Sequence, residues 1–490
     1  MKSNVRSAQI GLILGPVLFF ATLFFFHPTG LSKEANAVLA TTLWMATWWI
    51  TEALPISVTA LLPIVLFPLA GALDIKSTTA AFGHKYIFLY MGGFVIAIAI
   101  ERWNLHKRIA LNIINFIGAD VSKIILGFML ATAFMSMWIS NTATSVMMLP
   151  IAMAIIVQLK DNPATKENET LIFGKALMLA IAYSASIGGI ATLIGTPPNL
   201  VLAGIVEELY GIELSFAQWF KFGLPISLVL LFICWQYLTK SAFTFTQNEF
   251  PGGRAEVKRL LKSLGKMGYE EKIVLSVFIL TAFLWIARSF LQKFLPALDD
   301  TIIAIFSGIL LFLLPTQQAD RKIITWQEAV KMPWGVILLF GGGMALAEGF
   351  RSSGLAAWIG TQMTLLQGLN VLLLLVFIIA AVNFLTEITS NLATTAMLLP
   401  ILAPMAYSLG IHPYTLMVAA TLAASCAFML PVATPPNAVV FGSGYLRISD
   451  MVKTGIWMNL ISILLLTLMV YFVLPLLWGI DLKSFPVDFE

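Results

Sequence analysis

Apolar residues come in long blocks along the chain, near positions 10–26, 37–50, 56–70, 87–100, 176–194, 222–237, 273–290, 301–315, 334–347, 414–430 and 456–478, separated by short polar stretches. Several blocks are shorter than the ~20 residues of a straight membrane-spanning helix, yet each is almost free of charge and can cross a bilayer. Eleven crossings are predicted. Two more apolar stretches, 124–157 and 369–409, are long enough for two half-helices apiece and are interrupted midway by Ser140-Asn141 and Ser390-Asn391. Both read as re-entrant hairpins, because hydrocarbon tolerates a broken helix only where protein or a water-filled cavity satisfies the freed backbone groups. The predicted class is an all-α polytopic membrane protein.

The two interruptions are copies of one another. SNTATSVMMLPI at 140–151 returns as SNLATTAMLLPI at 390–401, and the same spacing pairs Gly92-Gly93 with Gly342-Gly343 and Ser136 with Thr386. A second echo follows each copy, GTPPN at 195–199 and ATPPN at 433–437. Self-similarity over whole segments divides the chain into an N-terminal helix outside the repeat (1–36), a first repeat (37–239), a basic linker (240–272) and a second repeat (273–490). Each repeat holds one hairpin, at about 121–160 and 365–410, and one broken helix, at about 175–210 and 413–444. Five crossings per repeat is an odd number, so the second is inverted. The hairpins then enter from opposite faces and their tips meet near the midplane.

Composition agrees with the pattern. Hydrophobic residues make up 59% and charged residues 11% of the 490, against about 45–50% and about 25% in soluble domains. Lys and Arg are costly to translocate in short loops and so set the orientation. With the N-terminus in the cytoplasm, most of the 29 fall inside; Arg254, Lys258, Arg259, Lys262, Lys266 and Lys272 are the densest group, and none lies between Arg351 and Arg447. The C-terminus is then outside. Lys2 and Arg6 precede the first block and no small-residue cleavage site follows it, so a retained anchor is expected. Residues 102–117 interleave Arg102, His106, Lys107 and Arg108 with Leu and Ile, in the manner of an interfacial helix or of an ordinary juxtamembrane one.

A helix broken at Ser-Asn frees carbonyls on one side and N–H groups on the other. Carbonyls with the hydroxyls of Ser136, Ser140, Thr386 and Ser390 and the amides of Asn141 and Asn391 suit a hard cation such as sodium. The N–H groups of a helix start suit a carboxylate or another oxyanion. Pro197-Pro198 and Pro435-Pro436 each remove two donors in succession, so an unwound stretch with free carbonyls is expected there. One Ser-Asn alone is more often a packing hydrogen bond, and one Pro-Pro a kink; the duplication of both favours a site. The glycines at 92–93 and 341–343 read as close helix packing. Glu387 and Glu52 are ionisable groups in membrane segments; Glu387 either coordinates directly or braces the hairpin through hydrogen bonds.

No GxxxxGK[ST], HExxH or GxSxG string occurs, and His27, His84, His106 and His412 are scattered. Cys234 and Cys426 lie far apart in apolar blocks and imply neither disulfide nor metal site. An enzyme is therefore not expected, nor an organic cofactor. Coupling to an ion gradient is the simplest engine for a transporter of this make.

Ser140-Asn141-Thr142, Ser390-Asn391-Leu392 and the two downstream PPN strings, in this order, resemble the divalent anion/sodium symporter family of sodium-coupled di- and tricarboxylate carriers over nearly the whole chain. The resemblance implies a scaffold plus an elevator-type transport domain, a homodimer, and a bacterial plasma-membrane location. It implies one sodium site at Ser136, Ser140, Asn141 and Gly195, and a second at Thr386, Thr389, Asn391 and Ala433. It implies that Asn141, Thr142 and Asn391 meet the substrate carboxylates, with Thr196 or Pro435 close by. Leu392 stands where many bacterial relatives carry a hydroxyl residue, which leaves the preferred anion open.

No Lys or Arg accompanies these residues, so sodium must neutralise a buried dianion. Sodium-coupled symport of a C4-type dicarboxylate (succinate, malate or fumarate) is the expected function. A sodium-independent exchanger, a citrate or sulfate carrier, and an anion channel are the alternatives.

Overall fold

The computed structural model describes residues 2–118, 120–158, 168–245, 251–318, 320–362, 368 and 370–489. The outer limits assigned to the hairpins, 159–160 and 365–367, and linker positions 246–250 lie outside the described residues. Among the described residues the structure is helical, with one isolated bridge between Pro315 and Lys322.

The chain opens with α1 (Lys2–Phe25), laid along α2 (Lys33–Thr51), which starts where Ser32 Oγ accepts from Ala35 N at 3.0 Å. The third block is split into α3 (Ile56–Thr59) and α4 (Leu62–Leu69), Pro63 starting the second piece where a missing N–H costs nothing. After α5 (Ile75–Ala80) come α6 (Lys85–Arg102) and the amphipathic α7 (Leu105–Ile117). The first predicted hairpin is α8 (Val121–Ser136) and α9 (Asn141–Ile156); the first broken helix is α10 (Glu169–Ile190) and α11 (Pro197–Tyr210). α12 (Phe216–Gln236) closes that half, and the linker holds α13 (Pro251–Ser263).

The second half runs α14 (Tyr269–Leu291), α15 (Asp300–Leu313), the short α16 (Trp326–Ala329), α17 (Trp334–Ser352) and α18 (Leu355–Gln362). Its hairpin is α19 (Val371–Leu385) and α20 (Asn391–Leu409), its broken helix α21 (Pro413–Ala424) and α22 (Pro435–Phe441), and α23 (Ile448–Leu468) and α24 (Leu474–Trp478) follow. Seven helical stretches among the described residues are long and apolar enough to cross a membrane, including Asn391–Leu409, which the sequence assigned to a hairpin arm. Most other predicted crossings are shorter helices or are broken by turns, as in α3–α4 and α21–α22.

Burial picks out the heart of the fold. Every residue of α21 and nearly every residue of α10 from Ala176 onward is buried, so neither helix has a lipid-facing stripe. Around them, positions 250 apart make like contacts. A Cβ on Gly92 of α6 would stand 2.6 Å from the Ala304 backbone of α15, and one on Gly342 of α17 would stand 2.5 Å from the Ala60 carbonyl beside α3. These glycines are close-packing positions, as their clustering suggested.

Charged side chains tie helices of the bundle together at several places. Arg108 of α7 meets Glu271 of α14 at 3.0 Å and donates to the Leu264 and Gly265 carbonyls just after α13, pinning the linker helix against α7. At the start of α6, Lys85 lies 2.6 Å from Glu207 of α11 and 3.6 Å from Asp299. Nearby, Arg288 of α14 joins Asp300 of α15 at 2.9 Å and Glu213 of the α11–α12 loop at 2.5 Å, while Phe216 N donates to Asp300 at 2.7 Å.

Candidate functional site

Both hairpins break for the same local reason: a polar string starts a new helix. Ser140 caps α9, its Oγ accepting from Ala143 N at 3.2 Å, and Ser390 caps α20 through backbone conformation alone. One turn into each new helix a hydroxyl bonds back to the first carbonyl, Ser145 Oγ to Asn141 O at 2.9 Å and Thr395 Oγ1 to Asn391 O at 2.8 Å.

Across each break the last hydroxyl before the turn faces the first amide after it. Ser136 Oγ lies 2.6 Å from Asn141 Oδ1 and 2.7 Å from the Ala185 carbonyl of α10. In the second half Thr386 Oγ1 lies 2.7 Å from Asn391 Oδ1 and 3.0 Å from the Ala424 carbonyl of α21. A hydroxyl carries one proton and cannot donate to both neighbours. The second cluster therefore holds three oxygens, Thr386 Oγ1, Asn391 Oδ1 and the Ala424 carbonyl, with one proton among them, an arrangement that suits a hard cation. In the first, the Asn141 amide with its nitrogen inward donates to Ser136 Oγ at 2.6 Å and faces Gly195 O and Ala185 O at 3.3 Å each, so the same oxygens gather there around an amide donor.

The TPPN strings act at helix starts. Thr196 and Thr434 are the N-caps of α11 and α22, and the proline pairs occupy the first turn, where donors are not needed. The unwound chain precedes them, at 191–196 and 425–434. The final Asn of each string reaches back across it: Asn199 Nδ2 donates to the Gly189 and Thr192 carbonyls at 3.1 and 2.8 Å, and Asn437 Nδ2 to the Ala427 and Leu430 carbonyls at 3.3 and 3.0 Å. In the first half Thr192 Oγ1 also donates to Met137 O at 2.5 Å, and Trp219 Nε1 to Ile190 O at 2.9 Å. In the second half Glu387 binds the break. Its Oε1 accepts from Phe428 N at 2.8 Å, Met429 N at 3.0 Å and Asn459 Nδ2 at 2.8 Å, and its Oε2 from Leu430 N at 3.0 Å. Of the two readings of Glu387, bracing is the one these contacts display.

The halves interlock. α9 packs on α22 and α20 on α11, so each hairpin arm rests on the helix that follows the other half's break, while α10 also packs on α22. The rings of Tyr183 and Phe428, one from each half, meet edge to face at 5.0 Å. Both Ser-Asn tips thus belong to one packed body. An open cavity of about 680 Å³, bounded by Leu111 of α7, Ala143 and Val146 of α9, and Leu260 and Leu264 beside it, reaches Ile139 at the first tip.

Among the predicted site residues, Ser136, Asn141 and Gly195 come together, as do Thr386 and Asn391. Thr389 turns to Leu385 O at 2.8 Å and Thr394 Oγ1 at 2.6 Å, and the buried Ala433 lies in the second break with its N–H on Leu430 O. Thr196 is buried; Thr142 and Pro435 are exposed. Glu52 is an exposed C-cap of α2 with φ 48°, bonded through its backbone to Trp48 O. The bracing amides Asn199 and Asn437 stand inside the repeated TPPN, where the prolines carry the stronger sequence signal. The Ala185 and Ala424 carbonyls and Asn459 carry no sequence signal.

Residues 7–480 match the family described as the sodium:sulfate symporter transmembrane region. The chain belongs to this symporter family. A sodium-dependent dicarboxylate transporter, SdcS, of Staphylococcus aureus strain bovine RF122 / ET3-1 is 52% identical over 97% of the chain and 93% of that relative; SdcS of strain USA300 is 51% identical over the same shares. Among solved structures, Neisseria gonorrhoeae MtrF (TM-score 0.55, 12% identity, 95% of each chain) and the Alcanivorax borkumensis YdaH transporter (0.52, 14%, 96% and 97%) share the fold. As a symporter-family member the chain is a polytopic membrane transporter and not an enzyme.

Proposed function

We propose that this symporter couples inward movement of sodium to uptake of a C4-type dicarboxylate such as succinate, malate or fumarate. The observation that carries the reading is the pair of oxygen-rich clusters, Ser136–Asn141–Ala185 O and Thr386–Asn391–Ala424 O, each at the start of a helix. Oxygen clusters suit sodium, and the helix starts of α9 and α20 offer N–H groups and a positive end to a carboxylate. The name of the S. aureus relatives, sodium-dependent dicarboxylate transporter, supports the same pairing of cargoes.

In this reading one sodium sits with Ser136, Ser140, Asn141 and the Gly195 carbonyl, the other with Thr386, Thr389, Asn391 and the Ala433 carbonyl. Asn141, Thr142 and Asn391 hold the carboxylates, near Thr196 or Pro435. Exposed Thr142 offers a hydroxyl, whereas its counterpart Leu392 is apolar and buried, so one carboxylate is held with one hydroxyl fewer. Sodium binds first, neutralises the pocket and orders both tips, and affinity for the anion rises by linkage.

Eleven crossings in two inverted repeats, N-terminus inside and C-terminus outside, carry this body as an elevator against a scaffold in a plasma-membrane homodimer. Uptake of labelled succinate into proteoliposomes with sodium, lithium, potassium or proton gradients tests the coupling. Uptake that ignores sodium leaves a dicarboxylate exchanger; preference for citrate or sulfate over succinate replaces the substrate.

A further inference from the structure

We infer that Glu207, Glu208 and Glu213 are positioning residues for transport, a three-point clamp that holds the body carrying both tips in one end state and releases it in each cycle. This rests on the reading of the chain as a carrier whose tip-bearing body moves, and it names what holds one of the two states.

The three acids fall within seven residues at the end of α11, and each grips a cation on a different helix outside the hairpins and the broken helices. Glu207 lies 2.6 Å from Lys85 at the start of α6, Glu213 2.5 Å from Arg288 of α14, and Glu208 3.2 Å from Arg351 of α17. Neutral bonds add to the grip: the Tyr86 hydroxyl donates to Leu214 O at 3.1 Å and Phe216 N to Asp300 at 2.7 Å. At its other end α11 starts from Thr196, next to Gly195, and along its length it packs on α20, which starts at the second tip. A hold on 207–213 is therefore a hold on both breaks.

Clamp and cavity occupy opposite ends of one helix. Lys85 is the first residue of α6 and Glu101, which lines the cavity, is the last but one, about 24 Å further along the axis. The molecule is open beside Glu101 and pinned beside Lys85, as one end state of alternating access requires.

Each cation also keeps a second carboxylate on its own side, which a permanent brace would not need. Lys85 has Asp299 at 3.6 Å, Arg288 has Asp300 at 2.9 Å and Arg351 has Glu348 at 2.5 Å. Release of 207–213 thus strands no cation, and stranding is the costly part of breaking a buried pair. The three acids, whose side chains are part-exposed, pass to water. Half-exposed pairs shift an equilibrium by up to about fivefold each, enough together to bias a state without freezing it.

Val146→Cys, on the cavity wall, reports this state by its rate of reaction with a membrane-impermeant maleimide in detergent, since Cys234 and Cys426 are buried. Adding Glu207→Gln, Glu208→Gln and Glu213→Gln together should slow that labelling about threefold or more. Adding Glu348→Gln instead removes only a reserve partner and should leave labelling as fast as in the parent. Both variants should melt lower, so a merely structural role predicts lower melting with equal labelling in the two. Labelling of the triple variant within about 1.5-fold of the parent overturns the inference, and so does equal slowing by Glu348→Gln. Where the triple variant does not survive purification, Glu208→Gln decides: labelling about twofold slower is expected, and an unchanged rate overturns the inference. Wild-type uptake indifferent to sodium removes the proposed coupling, whereas labelling decides the clamp in either case.

Discussion

Thr386 Oγ1 stands 2.7 Å from Asn391 Oδ1, across a turn in which α19 ends and α20 begins, and Ser136 Oγ stands 2.6 Å from the Asn141 amide at the equivalent place in the first half. The identity of the hydroxyl residue differs while the distance is kept. What the turn needs is one hydroxyl oxygen, not a particular side chain.

Ser136→Thr and Thr386→Ser should accordingly retain sodium-driven uptake. Ser136→Ala and Thr386→Val remove an oxygen that accepts or coordinates in a buried cluster, a loss of roughly 1–3 kcal/mol or about a decade in sodium affinity. Sodium titration of succinate uptake separates the two pairs. Equal sodium dependence in all four variants would remove these hydroxyls from the cation sites.

Asn199→Ala and Asn437→Ala should destabilise the fold through the breaks. Each leaves buried carbonyls without their donor, costing roughly 1–3 kcal/mol per unsatisfied group. Melting curves in detergent should show the larger drop for Asn199, whose amide serves Gly189, Ile190 and Thr192, against Ala427 and Leu430 for Asn437. The reverse order would mean that the two breaks are held differently from what these bonds indicate.

Gly92→Ala and Gly342→Ala should both be poorly tolerated, because the new methyl meets backbone of another helix at 2.6 and 2.5 Å. Gly93→Ala, whose methyl would meet only the Ile194 side chain at 3.6 Å, should express and melt like wild type. Fluorescence size-exclusion profiles of the three variants decide the matter. Overpacking of this kind costs typically about 1–3 kcal/mol.

Cys234 and Cys426 are buried. A thiol placed by Val146→Cys, on the wall of the cavity beside α13, should then be the reactive one toward a membrane-impermeant maleimide. In inside-out vesicles it should label and in right-side-out vesicles it should not, under the proposed cytoplasmic placement of the linker. Labelling from the opposite face would invert the assigned topology.

The sequence displayed the breaks because polarity there is repeated: Ser140-Asn141 and Ser390-Asn391 are conspicuous in apolar surroundings, and each copy vouches for the other. It located Ser136 and Thr386 by the same spacing. The partners it missed are of two kinds. Ala185 and Ala424 contribute carbonyls, and a carbonyl is present at every residue, so no letter marks it. Glu387 stands out as a charge in an apolar block, but its partners Phe428, Met429 and Leu430 act through backbone N–H groups, which are equally unmarked. The prolines of TPPN drew attention as helix breakers, whereas they sit at the helix starts and the adjoining Asn closes the gap. Crossing lengths were the least legible feature, since turns such as that between α3 and α4 interrupt runs whose letters stay apolar throughout.

The helix in the linker, α13, lies against both α7 and α9. A segment that joins the two halves thus also leans on the arm that carries Asn141. Any displacement of that arm relative to α7 must either drag this basic helix with it or peel it away. With the linker on the cytoplasmic side, as proposed, ionic strength at that face would act on the arm through this helix.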